Sequence, residues 1–179
     1  MTDELPGDPS AREELERILR VDHAGEYGAT RIYAGQLAVL GASRVGPAIR
    51  HMAAQEDRHL ATFERLLPER QVRPTALAPL WHVAGFALGA ATALLGERAA
   101  MACTVAVEEV IDEHYAAQAA ALGDREPALK AVIEEFRREE LEHRDEGLAH
   151  GATEAPAYEL LSATIKAGSR LAIWLSTRI

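Results

Sequence analysis

The 179-residue chain has one cysteine, Cys103, and only 5% aromatic residues. A single thiol closes no disulfide within the chain and builds no iron–sulfur or rubredoxin-like centre, so its expected role is that of a small buried hydrophobe in a reducing compartment. Basic residues are also scarce. Nineteen Lys and Arg against 28 Asp and Glu leave a formal net charge of −9 and a pI near 5.3, which gives no footprint for nucleic acid; no aromatic–basic interleaving is present either. No Gly-x-Gly-x-x-Gly follows a strand, so no nucleotide fold is expected. No Val/Ile/Thr-rich run alternates with period two, so no sheet is expected. The opening Met-Thr-Asp-Glu has neither the cationic region nor the apolar core of a secretory signal, and is not an Arg/Ser-rich transit peptide. A bacterial protein on the cytoplasmic side is the expectation.

What is present is helical. Pro6, Gly7, Asp8 and Pro9 suggest a flexible lead over residues 1–10, followed by one domain over 11–179. Ser10 is placed to cap a helix running to about Leu40, with Glu13 as its capping-box partner. Gly41 and Gly46-Pro47 separate it from a second helix, whose Met52, Glu56, His59 and Phe63 recur at 4, 3 and 4 residues and mark one buried stripe. A linker over 70–74, a helix over about 97–122, a turn at Gly123-Asp124, a helix over about 127–150 and a last helix opened by Pro156 complete the chain.

Two of these helices carry Glu-x-x-His: Glu56 with His59, and Glu140 with His143. Three residues along a helix leave two side chains about 60° apart, so a carboxylate and an imidazole can address one metal. Each pair follows a lone glutamate, Glu26 by 30 residues and Glu108 by 32. Both lone glutamates sit among apolar or small residues, where an unpartnered carboxylate costs several kcal/mol and calls for a metal or a cation. One glutamate from each of two helices plus Glu-x-x-His from two others is the inward ligand set of ferritin-like di-iron bundles. Four carboxylates balance two ferrous ions, and oxygen-rich ligation with two imidazoles suits iron or manganese better than structural zinc. The fold expected is therefore all-α, a ferritin-like four-helix bundle, with two iron ions per chain. Gln55 and Glu139, four residues before His59 and His143, are candidates to hydrogen-bond a ligand histidine on the facing helix.

Residues 74–96 contain no Asp, Glu, Lys or Arg. By length this segment could span a bilayer, sink into one leaflet, or form a buried helix in which Gly85-x-x-x-Gly89 permits close packing. The interfacial reading is favoured. Leu160, Leu161, Ile165, Leu171 and Trp174, interrupted by Lys166, Arg170 and Arg178, agree with additional membrane-associated helices, although an ordinary amphipathic helix looks similar.

Asp22-His-Ala-Gly-Glu-Tyr-Gly-Ala29, Cys103-Thr-Val-Ala-Val-Glu-Glu109, His114-Tyr115, Glu140-Leu-Glu-His143-Arg-Asp145 and Pro156-Ala-Tyr158 together resemble the demethoxyubiquinone hydroxylases of ubiquinone biosynthesis, from about Ile18 to the C-terminus. The resemblance implies a bundle bound peripherally to one leaflet, here the cytoplasmic face of the inner membrane, with Glu26, Glu56, His59, Glu108, Glu140 and His143 as iron ligands. It implies hydroxylation of a polyprenyl 5-demethoxybenzoquinone in the penultimate step of the pathway, using O2 and NADH, alongside an accessory protein of that pathway. It also makes His114 and Tyr115 candidates for quinone contact or for proton and electron relay; an amphipathic pair closing the bundle end is the alternative. Other readings of the residues are a ferritin-like ferroxidase, a soluble di-iron hydroxylase acting on another substrate, and a metal-free helical membrane scaffold.

Overall fold

The computed structural model describes residues 9–179; of the lead expected over 1–10, only Pro9 and Ser10 fall within it. Six α-helices and one 3-10 turn make up the described residues: α1 (Ala11–Leu40), α2 (Gly46–Glu69), α3 (Ala78–Leu94), α4 (Glu97–Leu122), α5 (Pro127–Ala149) and α6 (Tyr158–Ser176), with the turn at Ala152–Glu154 before α6. No strand occurs among them. Ser10 and Glu13 form the reciprocal capping box at the start of α1. The last helix begins two residues later than Pro156 suggests, because Ala157 takes a left-handed backbone (φ 52°) and Tyr158 is the first residue free to wind.

α1, α2, α4 and α5 form a bundle. α1 and α4 run antiparallel, fixed by buried hydrogen bonds that pair Tyr33 with Glu108 and Tyr115 with Glu26. α2 and α5 also run antiparallel, with Gln55 against His143 and His59 against Glu139. α3 is the long crossover from the end of α2 back to the start of α4, and it lies along α1. The two backbones touch there: a Cβ on Gly89 would collide with the carbonyl oxygen of Ile32, and one on Gly35 with that of Phe86. The core below the ligand level is built on Leu19, Phe63, Tyr115, Ile133 and Phe136; the core above it is built on Tyr33, Ile49, Met52, Met101 and Val105. Cys103 packs with Ala106, Val107 and Ile165, and burial pushes its thiol up to about 12.

α3 buries only the stripe with Gly85 and Gly89 and leaves Leu80, Val83, Phe86 and Leu94 exposed. Leu160, Leu171 and Trp174 are exposed on α6, which is joined to α3 by the Trp81 indole N–H donating to Ser176 Oγ at 3.0 Å. No helix of the described residues is long and apolar enough to cross a membrane. Two of the cations between the apolar residues of α6 are already engaged: Lys166 pairs with Glu109 of α4, and Arg170 with Glu113 at 3.0 Å.

Candidate metal centre

Helical periodicity turns one side chain of α1, two of α2, one of α4 and two of α5 to a common level. Glu26, Glu56, His59, Glu108, Glu140 and His143 all have at most 2% of their surface exposed. They form two overlapping groups, Glu26–Glu56–His59–Glu140 and Glu56–Glu108–Glu140–His143, and within each group one donor atom per residue lies within 4.8 Å of the others. Glu56 and Glu140 belong to both. His59 Nδ1 stands 3.4 Å from Glu26 Oε2 and 3.2 Å from Glu140 Oε1; His143 Nδ1 stands 3.2 Å from Glu56 Oε1 and 3.1 Å from Glu140 Oε2.

Both imidazoles turn Nδ1 inward and Nε2 outward. His59 Nε2 meets Glu139 Oε2 at 2.6 Å, and His143 Nε2 meets Gln55 Oε1 at 3.0 Å. Each helix of the α2–α5 pair thus supports the histidine of the other, as their spacing suggests. An Nε2–H donated outward leaves Nδ1 as the lone-pair atom facing the carboxylates. Phe136 stacks on His59, with ring centroids 3.9 Å apart and an interplanar angle of 23°, which fixes the ring plane.

The electrostatics call for cations. Glu26 Oε2, both oxygens of Glu56, Glu108 Oε2, Glu140 Oε1 and His59 Nδ1 are buried without hydrogen-bond partners. Burial, followed by the charge of Glu140, lifts Glu56 and Glu108 well above the carboxylate range. Glu140 moves the other way: despite burial, the neighbouring His143 and His59 imidazoles pull it down to about 2. Burial alone would lower His59, but its contacts with Glu140 and Glu26 raise it to about 10. Protons can relieve this crowding only in part, whereas divalent cations satisfy the orphaned oxygens and reverse the upward shifts. The residues present fit a pair of divalent metal ions of the oxygen-preferring class.

Tyr115 and His114, adjacent in sequence, part company in space. Tyr115 is buried and donates its hydroxyl to Glu26 Oε1. His114 is a third of a turn away on α4 and stays partly exposed; its Nε2 lies 2.9 Å from Gln118 Nε2 and 3.6 Å from the buried Asp22 Oδ1. Sequence reasoning missed Tyr33, whose hydroxyl donates to Glu108 Oε1 at 2.8 Å. A signal existed: Tyr33 follows Glu26 by seven residues, as Tyr115 follows Glu108, and seven residues return to nearly the same helix face. It missed a role for Asp22 as well, which accepts from Gln118 Nε2 at 2.6 Å, four residues before Glu26.

A helical bundle in which four helices bury four carboxylates and two imidazoles, grouped around two positions, has the donor set of the carboxylate–histidine metalloprotein class. The family model of the ubiquinone biosynthesis protein COQ7 matches residues 13–176. The chain belongs to that family. It is 64% identical over 179 residues, 99% of its length and 84% of the relative's, to a protein of Rhodospirillum rubrum named 3-demethoxyubiquinol 3-hydroxylase. It is 56% identical to a human protein named NADPH-dependent 3-demethoxyubiquinone 3-hydroxylase, mitochondrial, over 96% of this chain and 81% of that one. A Saccharomyces cerevisiae protein named 5-demethoxyubiquinone hydroxylase, mitochondrial, is 42% identical over 92% of this chain and 78% of its own.

Proposed function

We propose that this chain is a di-iron monooxygenase of the ferritin-like class that hydroxylates the ring of a polyprenyl demethoxybenzoquinone, or its quinol, in the penultimate step of ubiquinone biosynthesis. One juxtaposition carries this reading. Beside the carboxylate–histidine centre, a cavity of about 340 Å³ lies between α1, α3, α4 and α6, lined by Gly25, Gly28, Ile32, Trp81, Leu88 and Val107 among others. Gly25 and Val107 are the sequence neighbours of Glu26 and Glu108, so the cavity runs along the turns that carry two of the ligands. Its carbon-rich walls suit a prenylated ring and exclude water from the carboxylates behind them.

Glu26 and His59 would hold one iron, Glu108 and His143 the other, with Glu56 and Glu140 shared between them. When bound, the ferrous pair supplies the open coordination positions and electrons that the activation of O2 requires. The protein's part is positional. Tyr33 and Tyr115 fix the carboxylates of Glu108 and Glu26, Gln55 and Glu139 fix the imidazole tautomers, and Tyr115 places a proton at Glu26. His114, partly exposed on α4, is a candidate to exchange protons with solvent through Asp22 and Gln118.

The relatives' names differ on the oxidation state of the ring, and the human one specifies NADPH where the resemblance implied NADH. Reducing equivalents from a nicotinamide nucleotide, delivered without a nucleotide fold in this chain, are the proposal here. Peripheral docking on the cytoplasmic face of a bacterial inner membrane is supported by the apolar residues that α3 and α6 leave exposed. Since Lys166 and Arg170 are engaged with α4, detergent rather than high salt should release the protein from membranes; release by salt alone refutes this docking.

The test is chemical. Cells lacking the protein should accumulate a ubiquinone precursor short of one ring oxygen, and a folded Glu108→Ala should fail to restore the product. Normal ubiquinone in either strain overturns the proposal.

A further inference from the structure

The centre is buried on every side. Its six ligands are at most 2% exposed, so a metal ion must pass through the bundle wall to reach them. The α1–α3–α4–α6 cavity is a poor route, because its walls offer almost no donor atoms to replace the water a divalent cation sheds, and desolvating an unpartnered ion is prohibitive. The opposite wall differs. Between α2 and α5 lies a polar cleft of about 410 Å³, with Gln55 and His143 at its inner end, His51, Glu146 and His150 farther out, and Arg44 at the rim.

The register of these side chains follows from helix geometry. His143 and Glu146 share one stripe of α5, His150 caps its C-terminal end, and His51 stands one turn before Gln55 on the facing stripe of α2. Donors therefore line the cleft from solvent to a ligand of the centre, with His150 Nδ1 3.4 Å from Glu146 Oε1. His150 Nδ1–H donates to the carbonyl oxygen of Glu146 at 3.0 Å, which leaves its Nε2 with a free lone pair. Arg44, the cation at the rim, is held by Glu97 at 3.3 Å. Glu142 and Glu146 then leave the cleft net negative. Among the described residues the only groups of three or more His/Cys/Asp/Glu close enough to hold an ion are the two at the centre. The outer donors are spaced for passage rather than storage.

We propose that the α2–α5 cleft admits divalent metal cations to the centre, with His150, Glu146 and His51 taking the ion in turn before His143. This rests on the metal reading of the centre, and the experiment separates the two. Metal-free protein is mixed with Co2+ alone in a stopped-flow instrument, and uptake is followed by the visible bands of bound cobalt. The His51→Ala/His150→Ala double variant and Glu146→Gln should each take up two ions per chain, but about tenfold more slowly, the low end of what charge focusing in a lined cleft gives. Gly168→Leu, on the wall of the apolar cavity, should load at the wild-type rate. Wild-type uptake rates in the folded cleft variants, or slowed uptake in Gly168→Leu alone, would overturn the route. Wild-type protein that binds no cobalt would overturn the metal reading and the route together.

Discussion

The helices bearing lone glutamates and those bearing Glu-x-x-His meet in the same manner, antiparallel with reciprocal bonds across the interface, but they brace the centre differently. Between α1 and α4 the bracing is symmetric: Tyr33 reaches Glu108 and Tyr115 reaches Glu26. A phenol is a neutral donor. It satisfies one carboxylate oxygen without cancelling the charge, and so keeps the carboxylate available to a cation. Between α2 and α5 the bracing is asymmetric, since a neutral amide, Gln55, receives His143, while a carboxylate, Glu139, receives His59. Glu139 is in turn held by Arg58 at 2.6 Å, so the extra negative charge at that histidine is balanced at the surface. The two donor groups share Glu56 and Glu140 but are not equivalent, because the one with His59 has the stronger electron donor behind it.

Removing a ligand should erase the comparison altogether. Protein loaded anaerobically with iron is expected to hold two ions per chain, and Glu56→Ala or His143→Ala at most one, by metal analysis; stoichiometric zinc, or wild-type iron in both variants, would refute the centre. A smaller but broad effect should come from pH. In metal-free protein Glu56 and Glu108 keep protons that the unfolded chain releases near 4.5, so the folded state binds more protons and stability falls as pH rises above that value. His59 acts in the same direction: its contribution is complete below 6.5 and gone once pH passes about 10. Glu140 opposes them at the acid end, its contribution being present above 4.5 and lost as pH falls toward about 2. Urea midpoints of the metal-free protein should therefore peak in mild acid and decline toward alkali. Loaded protein should reverse that decline, because binding displaces the protons.

Removing the asymmetry gives intermediate effects. Glu139→Gln should weaken metal binding by about 10–100-fold, the usual cost of losing a carboxylate behind a ligand histidine. Gln55→Glu should leave binding intact and bring the two iron environments closer together in Mössbauer spectra; two unchanged quadrupole doublets would show that Glu139 is not what distinguishes them. The least effect belongs to the tyrosines. Tyr33→Phe should cost about 1 kcal/mol of folding stability, the net value of one hydrogen bond. The loss should be smaller in loaded protein, where the ion satisfies Glu108, and equal losses in both forms would contradict the bracing role.

Much of this was legible in sequence because it depends on one helix at a time. The Ser10–Glu13 box, the Met52–Glu56–His59–Phe63 stripe and the Glu-x-x-His pairs are set by a period of 3.6 residues and a local cap. What lay hidden depends on how two helices register. Nothing in α1 alone states that Tyr33 faces Glu108 rather than a core residue, and the adjacency of His114 and Tyr115 conceals that they point to different surroundings. The orientation of α3 was equally closed to periodicity: it is apolar on every side, and only its glycines, where the backbone of α1 comes closest, show which stripe is buried.

Cys103 has a practical consequence for studying this molecule. The thiol is buried with none of its surface exposed, and its ionisation is pushed up to about 12, so it offers almost no thiolate to oxidants or alkylating reagents at neutral pH. The native chain is in effect blank to maleimide chemistry. A cysteine introduced at Leu94 on α3 or Leu171 on α6 would be the sole labelling position, and a spin or fluorescent probe there would read immersion depth at a lipid surface without a background to subtract.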